Sequence, residues 1–291
     1  MADPKLSWRY VQYDDHGRAE TVDGAIVNEM RWRLYVNRRL LVSFMCSPTE
    51  LHHLALGFLV SEGLIHQLDE VVSLKVYEDE HRVYWYMPSL GLDETLTMPV
   101  CEETVGVIDA RLTHSLPDDL GPKTLTSGCG GGVTFQDMER VAAPVESALR
   151  VTPTGLIGLM RRLNEEAKLY REVRGIHTSA LADAEGVLVV AEDVGRHNTL
   201  DKIRGACLLR GIPTQDRILL TTGRVSSEMI TKAARMDVPI VVSRTSPTAL
   251  SVRLAQAWGV TLVGYARGRR LSVYTGAERV VADVVAAVSE N

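Results

Sequence analysis

Nothing in the 291 residues reads as a secretory leader, a membrane anchor or a disulfide framework. The opening stretch from Met1 to Tyr10 lacks the basic-then-apolar pattern of a signal peptide. No apolar run approaches the roughly 18 residues that a membrane helix requires. The four cysteines, Cys46, Cys101, Cys129 and Cys207, are too few and too scattered to staple a fold. No Cys-x-x-Cys occurs, so a ready-made zinc or dithiol site is missing and no intrinsic metal is expected. An excess of cations is absent too. Lys and Arg number 32 against 37 Asp and Glu, a net charge of −5, which excludes a global footprint for nucleic acid. Any anionic ligand must therefore be held by a local cluster. No internal repeat or low-complexity tract is evident. A soluble, cytoplasmic protein with neither a membrane nor a nucleic-acid partner is expected.

What is present is ordinary globular material, 45% apolar and 24% charged, in a chain long enough for one large or two modest domains. The first part is strand-rich. Ala25 to Phe44 reads as two strands about a turn near Asn37. Ser47-Pro48-Thr49-Glu50 then reads as a capping box ahead of a helix whose apolar residues begin at Leu51 and which stops at Gly63. Val71 to Met87 reads as a hairpin turning at Glu78 to Glu80. Past a weak stretch, Thr152-Pro153 opens a helix with Leu156, Leu159, Met160, Leu163, Ala167 and Tyr170 on one face. A strand pair about Asp183 to Gly186 follows, then a helix from about Asn198 to Leu209. Ile218–Thr221, Ser226–Met236, Ile240–Val242, Pro247–Trp258 and Thr261–Gly264 then alternate strand with helix, as in a largely parallel sheet. The fold class expected is α/β, with a smaller strand-rich α+β domain over 1–120 and a larger α/β domain over 121–291.

Three successive strand ends carry arginine: Arg224, Arg244 and the Tyr265-Ala266-Arg267-Gly268-Arg269-Arg270 segment. Ligands of open α/β sheets bind outside the carboxyl ends of the strands. Helix N-termini there favour phosphate, and the guanidinium fork matches its oxygens. A pocket for a polyanionic small molecule is expected. A second polar turn, Glu192 to Asn198, holds Asp193, Arg196 and His197. His197 reads as an acid, a base or a ligand contact, Asp193 as a residue orienting Arg196, and Asn198 as a helix N-cap.

Thr124-Leu-Thr-Ser-Gly-Cys129-Gly-Gly-Gly132 is the most unusual stretch. Four glycines about one cysteine suit neither helix nor strand, so Cys129 is expected on a mobile loop. Such a thiol can accept sulfur, carry an acyl group or bind metal. Cys46, Cys101 and Cys207 stand among apolar neighbours and read as packing residues. The loop lacks the Lys-Ser/Thr ending of a phosphate-binding P-loop.

Ser127-Gly-Cys-Gly-Gly-Gly132, Gly175-Ile-His-Thr-Ser-Ala180, Glu192-Asp-Val-Gly-Arg-His-Asn-Thr-Leu-Asp-Lys202, Thr222-Gly-Arg-Val-Ser-Ser-Glu-Met229, Ser243-Arg-Thr-Ser-Pro-Thr-Ala249 and Gly264-Tyr-Ala-Arg-Gly-Arg269 occur in this order. In them the chain resembles the FdhD/NarQ family of formate dehydrogenase accessory sulfurtransferases. The likeness spans roughly Cys46 to Thr275.

The resemblance implies a sulfur carrier that takes persulfide sulfur from a cysteine desulfurase onto Cys129. The sulfur passes to the metal of a molybdenum (or tungsten) bis-molybdopterin guanine dinucleotide cofactor, which formate dehydrogenase needs. The cofactor is then a bound substrate, and a GDP-like nucleotide mimics part of it. Tyr265 to Arg270 match the family's cofactor-binding stretch, and Arg224, Arg244, Arg196, His197 and His177 are candidates for the same ligand. The resemblance also implies a cytoplasmic homodimer and a larger domain with an α/β/α, cytidine deaminase-like fold. Gly132 stands where family members usually have a second loop cysteine. A chaperone that binds and delivers the cofactor without sulfur chemistry is the alternative. His177-Thr-Ser179 lacks the glutamate of the zinc deaminases, so deaminase chemistry is not expected.

Overall fold

The computed structural model describes residues 2–79, 82–86, 95–96, 106–118, 120, 124–125, 133–134 and 143–282. The chain forms two units that interleave in sequence. The first takes residues 1–137, 167–178 and 191–212, the second 138–166, 179–190 and 213–291. The sequence suggests a single boundary near residue 120; the structure instead returns to its first unit twice.

The first unit opens with β1 (Lys5–Tyr13) and β2 (Ala19–Val27), an antiparallel ribbon with Lys5 opposite Val27. β3 (Met30–Val36) and β4 (Arg39–Cys46) form a hairpin through Asn37 and Arg38. Both turn residues have positive φ, as a tight two-residue hairpin demands. Then come α1 (Leu51–Ser61), β5 (Val71–Asp79), β6 (Arg82–Tyr86), β7 (Thr95–Leu96) and β8 (Gly106–Leu112). The six strands order as β4-β3-β8-β5-β6-β7, and the expected second hairpin pairs Asp79 with Arg82. Trp32, Leu34, Ile108 and Ala110 meet Leu51, Leu54 and Phe58 of α1 in its core. β9 (Thr124–Leu125) pairs with β10 (Val133–Thr134).

The helix expected from Pro153 to Tyr170 is two helices, α2 (Pro153–Glu166) and α3 (Lys168–Val173). The break has a donor-acceptor reason. The Glu192 carboxylate accepts from the Leu169 and Tyr170 backbone N–H groups at 2.8 and 2.9 Å, so α3 starts afresh on it. β11 (His177–Ala182) and β12 (Val187–Asp193) follow, then α4 (Arg196–Arg210). The helix therefore begins two residues earlier than expected, with Gly195 at its N-cap and Arg196 and His197 in its first turn. α1 and α4 cross backbone to backbone. A Cβ on Gly57 would lie 1.7 Å from the Asp201 carbonyl oxygen, and one on Gly205 would lie 2.0 Å from that of His53.

β13 (Ile218–Thr221), α5 (Ser227–Arg235), β14 (Ile240–Ser243), α6 (Ala249–Ala257), β15 (Thr261–Arg267) and β16 (Arg270–Thr275) complete the chain. The second sheet orders as β12-β11-β13-β14-β15-β16. Only β13, β14 and β15 run parallel; β11 is antiparallel to β13, and β16 to β15. The expected parallel sheet is thus a three-strand parallel centre with antiparallel flanks. Leu156, Leu159, Met160 and Leu163 of α2 pack on Ile218, Leu220, Ile240, Val242 and Val263. The alternate residues Leu219, Val241 and Leu262 face the opposite side, where right-handed crossovers place α5 and α6. The unit is an α/β/α sandwich.

The structure also corrects the reading that no repeat exists. β13 and α5 recur as β14 and α6 at a constant offset of 22 residues, from Ile218 to Ile240 and from N-cap Ser226 to N-cap Thr248. The offset persists in detail: Asp237 and Gly259 share a positive φ, and Val238 and Val260 make the same backbone bond to Ala233 and Ala255. Many of the corresponding side chains change chemical class, as Arg224 against Ser246, Glu228 against Leu250 and Lys232 against Leu254 show, and this hides the repeat in sequence.

Candidate anion-binding edge

The two repeated turns are built on hydroxyls. At the end of β13, Thr221 Oγ1 accepts the Gly223 N–H at 3.2 Å; at the end of β14, Ser243 Oγ accepts the Thr245 N–H at 3.0 Å. Ser243 Oγ donates to the Gly223 carbonyl at 2.7 Å, which ties the first turn to the second. Val225 and Pro247 then bridge in parallel, and Ser226 and Thr248 cap α5 and α6. These short polar residues satisfy the turn backbone locally, so the long side chains are left to point elsewhere.

Arg224 is exposed and Arg244 half-buried, with Arg244 reaching the Asn164 side-chain oxygen at 3.4 Å. They are not equivalent within the repeat. Thr221 pairs with Ser243, so Arg244 directly follows its strand while Arg224 comes three residues after its own. The third arginine segment is a hairpin and leads into no helix. Arg267 faces Arg270 across a two-residue turn of Gly268 and Arg269, and Gly268 supplies the φ of +62° that the turn needs. Arg267, Arg269 and Arg270 are exposed. Ala266 is not: its side chain belongs to the core beneath α2. Tyr265 has a φ of +52° and donates its N–H to the Thr245 carbonyl at 2.9 Å, which fastens the hairpin to the second turn. Among the described residues no carboxylate pairs with any of these five arginines. Their charge is available to an anion.

Arg196, His197 and His177 lie in the first unit. His177 opens β11 and is half-buried; Arg196 and His197 are 6% and 7% exposed. The turn before them is wired inward. Asp193 and Lys202 form an ion pair of 2.7 Å with neither side chain exposed to solvent. Asp193 also accepts from the backbone N–H of Ser47 and Gly195 and from the Asn198 amide. Lys202 Nζ donates to Thr49 Oγ1 at 3.0 Å and to the Glu192 carbonyl at 3.1 Å. Ser47 Oγ accepts the Val194 N–H. The capping-box expectation therefore fails for a stated reason. Ser47 is committed to this turn, Glu50 takes a left-handed φ of 50°, and α1 starts with no side-chain cap. Asn198 is no N-cap either; its amide joins Asp193 to the Met45 carbonyl. The sequence motif showed these polar residues as a cluster, but nothing in it signalled that Lys202, two turns along α4, closes the network.

Cys46 and Cys207 are buried, as expected of packing residues. Burial pushes the Cys46 thiol well above its ordinary range, so it stays protonated and inert. Cys129 and Cys101 lie outside the described residues. The β9–β10 pairing, with Leu125 opposite Val133, stands on either side of the segment that carries Cys129.

The family model described as FdhD/NarQ family matches residues 27–281. The Sulfur carrier protein FdhD of Bacillus subtilis (strain 168) is 30% identical over 280 residues, covering 94% of this chain and 95% of its own. That of Staphylococcus aureus (strain MRSA252) is 32% identical over 284 residues, covering 96% of this chain and 97% of its own. Among solved structures, a putative formate dehydrogenase accessory protein from Desulfotalea psychrophila superposes with a TM-score of 0.70 at 25% identity, covering 96% of this chain and all of the other. Among the described residues no helix is long and apolar enough to cross a membrane.

Proposed function

Since the chain belongs to the FdhD/NarQ family, we propose that it is a sulfur carrier acting in formate dehydrogenase maturation. Cys129 takes sulfur from a cysteine desulfurase. Its thiolate attacks the outer sulfur of the donor's persulfide, an S–S bond forms on Cys129, and the donor leaves as a cysteine thiolate. The exchange is redox-neutral. The acceptor of that sulfur is the metal of a bis-molybdopterin guanine dinucleotide, bound as substrate, with the carrier working in the cytoplasm as a homodimer.

The observation that supports this reading is the arginine edge of the second unit. Two hydroxyl-built turns and one hairpin there offer five arginines with no carboxylate pairing to any of them among the described residues. A pyrophosphate-bearing dinucleotide is the ligand class that such an edge fits. Burial of Cys46 and Cys207 supports the choice of Cys129 over those two thiols.

Gly132, in place of a second loop cysteine, favours one other reading, a chaperone that delivers the cofactor without sulfur transfer. Intact-protein mass spectrometry after incubation with a desulfurase and cysteine separates the two. The wild-type chain should gain one reductant-labile sulfur atom and Cys129→Ala none. No gain, with GDP binding retained, would leave the chaperone.

A further inference from the structure

The β15–β16 hairpin is irregular in two places, and a tyrosine stands at each. Val263 faces Val273 whereas Leu262 faces Thr275, which leaves Tyr274 as the extra residue of a bulge. Gly264 faces Ser272 and the register resumes only at Arg267 and Arg270, with Tyr265 between them at its positive φ. Bulges re-aim side chains, and bulky residues at positive φ are costly conformations that gather at functional sites.

Tyr274 has a definite seat. A Cβ built on Gly264 would meet Tyr274 Cε2 at 2.9 Å, the Thr245 carbonyl oxygen at 3.0 Å and Pro247 Cδ at 3.1 Å. Gly264 is thus a floor shared by the tyrosine ring and the Thr245–Pro247 approach to α6. Tyr274 nevertheless remains 41% exposed. An aromatic surface consequently stands beside the turn that carries Arg244, and Arg267 places its guanidinium 5.8 Å from the ring centre of the neighbouring Tyr265.

We propose that Tyr274 is a stacking platform for the purine base of the nucleotide whose phosphates the arginine edge holds. This rests on the anion-binding reading above and adds the residue that recognises the base. Aromatic faces stack on any base. Tyr274 therefore supplies affinity for the base as such, and choice among purines lies with other groups.

Calorimetric titration of the full chain with GDP and with inorganic pyrophosphate tests the proposal. Tyr274→Leu keeps apolar bulk over Gly264 without a ring, and Tyr274→Phe keeps the ring. The leucine variant should lose about tenfold in GDP affinity while its pyrophosphate affinity holds; the phenylalanine variant should bind both as wild type does. Equal GDP affinity in the leucine variant overturns the proposal, as does parallel loss of both ligands. A wild-type chain that binds pyrophosphate as tightly as GDP overturns it too, and one that binds neither removes the anion-binding reading with it. If Tyr274→Leu fails to fold by circular dichroism, Tyr274→Trp decides. GDP but not pyrophosphate should then quench the added indole, and absence of quenching counts against the stack.

Discussion

Two kinds of polar turn connect strand to helix in this protein, and they use their charges in opposite ways. The turn from Glu192 to Asn198 pulls a carboxylate and an ammonium wholly out of solvent and saturates both with hydrogen bonds. The turns after Thr221 and Ser243 satisfy their backbones with hydroxyls and leave Arg224 exposed and Arg244 half-buried beside the Asn164 side chain. The comparison teaches that an ionic residue in a strand–helix turn is no guide to function until its acceptors are known. Where buried acceptors already take its hydrogen bonds, as for Lys202, the residue holds the fold; where no carboxylate pairs with it among the described residues, as for Arg224, its charge is available to an anion.

Breaking the inward turn should have the largest effect. Lys202→Met leaves Asp193 buried without its counter-ion, and urea denaturation should show a loss of about 3–5 kcal/mol. A loss under about 1 kcal/mol would place the pair with the ordinary surface bridges.

The next effect sharpens the comparison through pH. Burial, aided by the neighbouring His53, lowers the His52 pKa from 6.5 to about 4. The folded state thus binds this proton less readily than the unfolded chain does. Stability from this group is complete above pH 6.5 and is lost as pH falls toward 4, by about 3 kcal/mol in all. His52→Gln should flatten that part of the profile, measured by urea denaturation at successive pH values. An unchanged profile would refute the assignment.

The smallest change in stability should come from the outward turn. Arg224→Ala removes an exposed side chain and should alter unfolding free energy by less than about 0.5 kcal/mol. The same substitution should weaken GDP binding severalfold in calorimetry. A variant that loses stability but keeps GDP affinity would reverse the contrast between the two turns.

Much of this was legible in sequence. The 3.6-residue apolar pattern placed α2, the alternation of strand and helix placed β13 to β15 with α5 and α6, and Gly63 marked the end of α1 with a φ of +67°. The arginine edge was foreseen as a set of positions, and Cys46 and Cys207 as packing residues. Errors arose where a residue had two local roles open to it. Ser47 and Asn198 both look like N-caps, yet each bonds to groups far along the chain. The third arginine segment looked like a strand end because Tyr265 and Gly268 do not announce a bulge and a tight turn.

Residue order alone yields the α1, α2, α5 and α6 helices, the central strands β13 to β15, the α/β class, the arginines near strand ends and the family to which the chain belongs. These follow from periodicity and from residue types adjacent in the chain. Only the tertiary structure decided the rest: two units interleaved rather than joined end to end, a repeat whose side chains do not coincide, a buried Asp193–Lys202 pair, and a tyrosine seated on Gly264. Each depends on which group satisfies a donor or fills a space many residues away. Local preference carries no information about that.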